Sequence, residues 1–253
     1  MKIYVVAHKK ADLQLPEGYE LFQVGAAKNG AFCENNDAVG DNNISAKNPN
    51  YCELTATYWI WKNDKTSDIV GLMHYRRFLT LSRRGKTAEY ALSESEVNEI
   101  LQSYDYISTP LYKNKPSVKS IMCDFVRERD YMLLRESVER LYPDYIKTFD
   151  EVFGGKYTYF CNMFVTRKRE WDEYCEWLFS ILFDMERSVD MTGYSDEEKR
   201  LYGYLSERLF TVYVRHNAKK VKSVRMIHPH KSLWSRFVTK LKRRKREKSS
   251  VGV

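Results

Sequence analysis

The chain has 253 residues, 43% of them hydrophobic and 30% charged, so it can bury one full-sized core or one domain with a small appendage. Its net charge of +8 resides in residues 231–253, where nine Lys/Arg face only Glu247, while residues 1–230 balance at 33 basic against 33 acidic. A body neutral in this way argues against a nucleic-acid-binding domain, which spreads positive charge over a folded face.

Five scattered cysteines, none in CxxC or Cys/His ligand spacing, argue against a structural zinc site and for a reduced chain. No apolar run reaches 18 residues, and MKIYVVAHKK is too short and too soon charged for a signal peptide. The expectation is a cytoplasmic protein whose membrane contact, if any, is peripheral.

In chain order, Lys2–Ala7 (KIYVVA) predicts a first strand, followed at once by the polar His8, Lys9 and Lys10. A second short strand is predicted over Glu20–Val24, closed by Gly25. Residues 28–50 form a long loop rich in Asn, Asp and Gly, a length usually reserved for function. Tyr51–Lys62 predicts a helix with Asn50 as N-cap and Glu53 in its first turn.

Asp68–Phe78, DIVGLMHYRRF, is an apolar run of strand length that stops in His74, Tyr75, Arg76 and Arg77. Ligands of open α/β sheets bind beyond the carboxyl ends of the strands. Two guanidiniums delivered there suit a phosphate or carboxylate, because the charge is permanent and the fork bonds such groups in pairs.

Ser93 and Glu96 form a capping box that opens a helix to about Gln102. Tyr104–Ser108 predicts a strand, and residues 117–152 predict helices broken at Pro143. Tyr159–Thr166 reads as another strand and Lys168–Arg187 as a long amphipathic helix. Ser195 and Glu198 make a second capping box for a helix to about Leu209, with late strands at Thr211–Val214 and Lys222–Ile227. The alternation is that of an α/β fold with a mostly parallel central sheet.

Four blocks, in order, carry a resemblance: GDNNISAKNPNYCELTATYWIWKN (Gly40–Asn63), GLMHYRRF (Gly71–Phe78), NMFVTRKREWDEYCEWLF (Asn162–Phe179) and RLYGYLSERLFTVY (Arg200–Tyr213). The chain resembles a bacterial family of glycosyltransferases from capsule, exopolysaccharide and O-antigen gene clusters, long catalogued as a domain of unknown function. The resemblance implies a single GT-A-like nucleotide-sugar-binding domain over residues 1–230. Its implied activity is transfer of a hexose from a UDP-sugar to a cell-surface polysaccharide or a lipid-linked glycan. Some members are assigned galactofuranosyl transfer.

Enzymes of this type commonly hold a divalent metal, Mn or Mg, on the donor diphosphate with a D-x-D motif, and this chain has none. The reading adopted is metal-independent, with no cofactor: Arg76 and Arg77 replace the metal, and His8, Lys9, Asp37 and His74 complete the donor site. Glu207, or failing that Asp41 or Glu53, is the candidate base for the acceptor hydroxyl. Asn48, Tyr51 and Asn162 are candidate acceptor contacts. The alternatives are a metal-dependent hexopyranosyltransferase of the same fold, with a metal on His74 and Asp37 or Asp41, or a non-catalytic scaffold that binds nucleic acid or membrane.

In the tail, Leu233, Trp234, Phe237, Val238 and Leu241 share one helical face and Lys and Arg fill the other, the pattern of a basic amphipathic helix on an anionic membrane surface. At roughly 1 kcal/mol per basic residue, such a helix would hold residues 231–253 reversibly on the inner face of the cell membrane.

Overall fold

The computed structural model describes residues 1–83 and 85–229, so the predicted tail helix lies outside the described residues. In chain order come β1 (Lys2–Ala7), β2 (Tyr19–Gln23), α1 (Ala26–Asn29), α2 (Asn48–Tyr51), α3 (Leu54–Asn63), β3 (Ile69–His74), β4 (Phe78–Thr80), α4 (Glu94–Leu101), β5 (Tyr106–Ser108) and β6 (Tyr112–Lys113). There follow α5 (Val118–Met122), α6 (Glu128–Leu141), α7 (Ile146–Gly154), β7 (Tyr157–Thr158), β8 (Phe164–Arg167), α8 (Lys168–Glu186), α9 (Leu201–His216), β9 (Val221–Ser223) and β10 (Arg225–Ile227).

The central sheet has the order β2-β1-β3-β8-β5-β9. Its β1–β2, β1–β3 and β5–β9 pairs are parallel, and β8 runs antiparallel between β3 and β5. The mostly parallel sheet expected of the sequence is therefore present, with one reversed strand. The inner strands β1 and β3 read as apolar runs because both faces are covered. Tyr4, Val6, Val70 and Leu72 point into a core shared with α3 and α6 to α9. Ile3, Val5, Ala7 and Met73 point into a second core with α4 and the β4–β10 ribbon.

Several boundaries differ from the sequence reading. The predicted helix from Tyr51 is two pieces, α2 and α3, separated at Cys52, whose backbone has φ 53°. Asn50 does not cap a helix; its amide instead donates to the Lys199 carbonyl at 2.9 Å. Thr211–Val214 is helical, the continuation of α9. Its β-branched residues read locally as a strand, but burial of Leu209, Phe210, Val212, Tyr213 and Val214 in the core overrides that preference. The strand predicted over Tyr159–Thr166 begins only at Phe164, after Cys161 and Asn162, which both lie in the left-handed region.

Candidate active site

The parallel strands β1 and β3 end side by side, Val6 opposite His74, and the chain entering the reversed β8 crosses the same carboxyl edge. That crossing segment, Cys161–Asn162, is the hub of the site. Cys161 (φ 80°) and Asn162 (φ 47°) are two successive non-glycine residues in the left-handed region, which costs Cys161 about 1–2 kcal/mol and which asparagine tolerates better than other non-glycine residues. Strain of this kind persists only where the surroundings over-determine it, and it concentrates at functional sites.

Here the surroundings are three elements. The Cys161 N–H donates to Glu207 Oε1 at 2.8 Å, and the Cys161 carbonyl meets His74 Nε2 at 2.8 Å. The Asn162 amide donates to Glu53 Oε1 at 2.8 Å and to the Gly203 carbonyl at 3.2 Å, and its oxygen accepts from Ser206 Oγ at 3.1 Å. Gly203 permits a close approach there: a Cβ would lie 3.1 Å from Cys52 Sγ, where α9 closes on the break between α2 and α3.

Burial and the adjacent Arg77 guanidinium push the His74 pKa down to about 3, with Arg76 and Arg200 adding to the effect. A neutral His74 therefore donates Nε2–H to Cys161 and acts as a strut. Burial likewise lowers His8, with Arg76, Lys9 and Arg200 contributing. His8 packs edge-on to Tyr75, 5.5 Å between ring centres, and Arg76 lies over the same ring at 4.7 Å.

The arginines diverge from one another. Arg76 is exposed at the rim, whereas Arg77 reaches inward to Cys161 Sγ at 3.6 Å. Arg200, at the threshold of α9, meets Cys52 Sγ at 3.4 Å and the Tyr204 hydroxyl at 3.5 Å. A thiol and a phenol leave most of a guanidinium's five N–H donors unused. Among the described residues, Arg76, Arg77 and Arg200 have no carboxylate within 4 Å, although Arg127, Arg135, Arg140 and Arg208 are all so paired.

The two glutamates play different parts. Glu207 uses both oxygens within the protein, one on Cys161 N–H and the other on Arg208 Nη1 at 2.5 Å. Burial raises Glu207 and lowers Arg208, so the pair is held against a desolvation cost. Glu53 is raised by burial, while Asn162, its own backbone N–H, Arg200 and Arg77 pull the other way. Among the described residues no side chain besides Asn162 bonds it, which leaves this carboxylate able to accept a proton.

His8, Lys9, His74, Arg76, Arg77, Asn162 and Glu207 thus gather at one edge. Asp37, Asp41, Asn48 and Tyr51 do not join them. Asp37 is fully buried and accepts from the N–H groups of Gly25 (2.7 Å) and Ala26 (3.1 Å) and from the hydroxyls of Ser45 and Thr55, both at 2.5 Å. It pins the polar loop to β2 and α3 and has no lone pair to offer a ligand. Asp41 is exposed in a stretch tied through the Asn42 carbonyl to Asn63, at the far end of α3, roughly 15 Å of helix from Glu53.

Asn48 clips Cys52 O and Thr55 Oγ1 at 2.7 and 3.2 Å. Tyr51 is buried, stacked on Tyr202 at 4.4 Å and bonded to Glu186. The metal set of His74 with Asp37 or Asp41 is therefore not assembled, and no group of three or more His, Cys, Asp or Glu placed for a metal occurs among the described residues. Sequence reasoning passed over Arg200. Its only signal was its position at the head of the block RLYGYLSERL, seven residues before Glu207.

With this geometry in hand, comparison with known proteins is informative. The chain superposes on the apo structure of the WbbM bifunctional glycosyltransferase with a TM-score of 0.83 and 31% identity, over 91% of this chain and 45% of that one. It therefore spans less than half of that protein's length. No curated protein matches the chain. No helix among the described residues is long and apolar enough to cross a membrane. The model of a domain of unknown function, DUF4422, matches residues 2–218, and the chain belongs to that family.

Proposed function

We propose that the domain is a glycosyltransferase that moves a hexose from a UDP-sugar to a hydroxyl of a cell-surface polysaccharide or lipid-linked glycan. The observation that carries this reading is three guanidiniums without carboxylate partners, Arg76, Arg77 and Arg200, around a neutral histidine at the carboxyl edge of the sheet, two of which, Arg77 and Arg200, also act on the carboxylate Glu53. The similarity to the WbbM bifunctional glycosyltransferase supports it.

In this mechanism the guanidiniums hold the donor diphosphate and stabilise the charge that grows on it as the bond to the sugar breaks. The acceptor oxygen attacks the anomeric carbon, and the nucleoside diphosphate leaves with the bonding electrons. Glu53 takes the acceptor's proton. A raised carboxylate pKa suits that role, since a base works best with a pKa near the operating pH. Glu207 and His74 are positioning residues: they hold the N–H and the carbonyl of Cys161 so that Asn162 orients Glu53.

The test is UDP release from a panel of UDP-sugars, UDP-galactofuranose included, with polysaccharide extract as acceptor, in the presence and absence of EDTA. Release that survives EDTA and falls by about 10²–10⁴-fold in Glu53→Gln is the expected result. Abolition by EDTA would overturn the guanidinium clamp, and full activity in Glu53→Gln would remove Glu53 as the base.

A further inference from the structure

We infer that the cleft between residues 123–127 and residues 195–198 is an extended acceptor subsite that takes a neutral oligosaccharide. The choice of ligand rests on the glycosyl-transfer reading, and the cleft on its own geometry.

The cleft has a volume of about 260 Å³ and is lined by Asp124, Phe125 and Arg127 on one wall and Ser195, Glu197 and Glu198 on the other. One wall is linked to the active site through contacting side chains. The Phe125 ring stacks on Tyr204, 5.4 Å between centres at 30°. The Tyr204 hydroxyl meets Arg200, and Arg200 meets Cys52, the residue before Glu53. Phe125, Tyr204 and Arg200 thus form a chain of contacts from the cleft wall to the residue next to the proposed base.

The chemistry of the walls selects the ligand. An apolar ring face beside a few hydrogen-bonding groups suits a sugar, which has an apolar face and a rim of hydroxyls. Glu198 and Arg127 are already locked together, Glu198 Oε1 accepting from Arg127 Nε at 2.6 Å, which fixes the shape of the wall. Three carboxylates against one guanidinium repel a second phosphate, so the cleft does not duplicate the donor site. A single sugar at Glu53 cannot also reach Phe125 across Arg200 and Tyr204, whereas an oligosaccharide can. The subsite therefore reads acceptor length.

The test is saturation-transfer NMR on the full chain without donor, using maltotriose, mannotriose and galactotriose and the matching monosaccharides. At least one trisaccharide should receive saturation that its monosaccharide does not. That signal should fall at least tenfold in Phe125→Ala and in the exposed Glu197→Gln, whose unfolding midpoints are compared with the wild type to exclude misfolding. It should be unchanged in Arg215→Ala, which alters the separate cavity walled by Leu111, Tyr157 and Val214. No saturation of any trisaccharide, saturation indifferent to Phe125→Ala and Glu197→Gln, or loss in Arg215→Ala would each overturn the inference. Because the readout needs no donor, a protein that binds trisaccharide here but never releases UDP would retire the transfer reading alone. One that releases UDP but binds no trisaccharide would retire the cleft alone.

Discussion

Replacing Asn162 tests the logic of the site, because its side chain and its backbone contribute separable terms. Asn162→Ala removes a hydrogen bond to the Glu53 carboxylate, worth about 2 kcal/mol, and the bonds to the Gly203 carbonyl and from Ser206 Oγ, worth about 1 kcal/mol each. It also places an alanine at φ 47°, adding about 1 kcal/mol. The total is a loss of about 5 kcal/mol, or roughly 10–20 °C in Tm for a domain of this size. Asn162→Gly loses the same bonds but escapes the backbone term, so it should be the more stable of the two by about 1 kcal/mol.

That order is the reverse of an ordinary strand or helix position, where glycine is the weaker by about 0.5–1 kcal/mol. Urea unfolding of the two variants, with midpoints and slopes fitted together, measures the difference. Glycine equal to or less stable than alanine would refute the claim that this backbone is held in strain by its neighbours. Both variants should also raise the acidic limb of the activity–pH profile, since the Asn162 bond holds the Glu53 pKa down.

Glu53 itself carries a stability signature. Its folded pKa is raised, so the folded state prefers the protonated acid; that preference stabilises below the unfolded value of about 4.3 and is lost as pH rises through the folded pKa. Glu53→Gln should therefore be at least as stable as the wild type at pH 7 and lose its advantage in acid, as thermal scans across pH would read. For His74 the folded pKa is lowered to about 3, so the unfolded chain gains a proton first and stability falls as pH drops from about 6.5 towards 3. An NMR titration should find no His74 protonation between about pH 5 and 8; a midpoint inside that window would refute the strut. Asp37→Ala should leave two hydroxyls and two N–H groups without their acceptor, cost about 3 kcal/mol or more, and open residues 26–46 to limited proteolysis; protection equal to the wild type would show that the loop is held otherwise.

What the sequence determined by itself is what local pattern can determine. The unbroken apolar runs of β1 and β3 declared strands buried on both faces, and the capping boxes at Ser93–Glu96 and Ser195–Glu198 formed as read, although the latter opens a 3₁₀ turn before α9 begins. The abrupt change from Met73 to His74-Tyr75-Arg76-Arg77 located the carboxyl edge of the sheet. Polarity told that residues 28–50 were special, but not that Asp37 spends its whole hydrogen-bonding capacity inside the loop.

Roles at the site required the tertiary structure. A glutamate's type does not reveal whether its oxygens are taken. Only the meeting of α9 with the Cys161 turn makes Glu207 a strut, and only Asn162, 109 residues away in sequence, singles out Glu53. Arg200 became a site residue in the same way, by the packing of Gly203 against Cys52. Burial and hydrogen-bond saturation are properties of distant segments brought together, and periodicity along one segment cannot encode them.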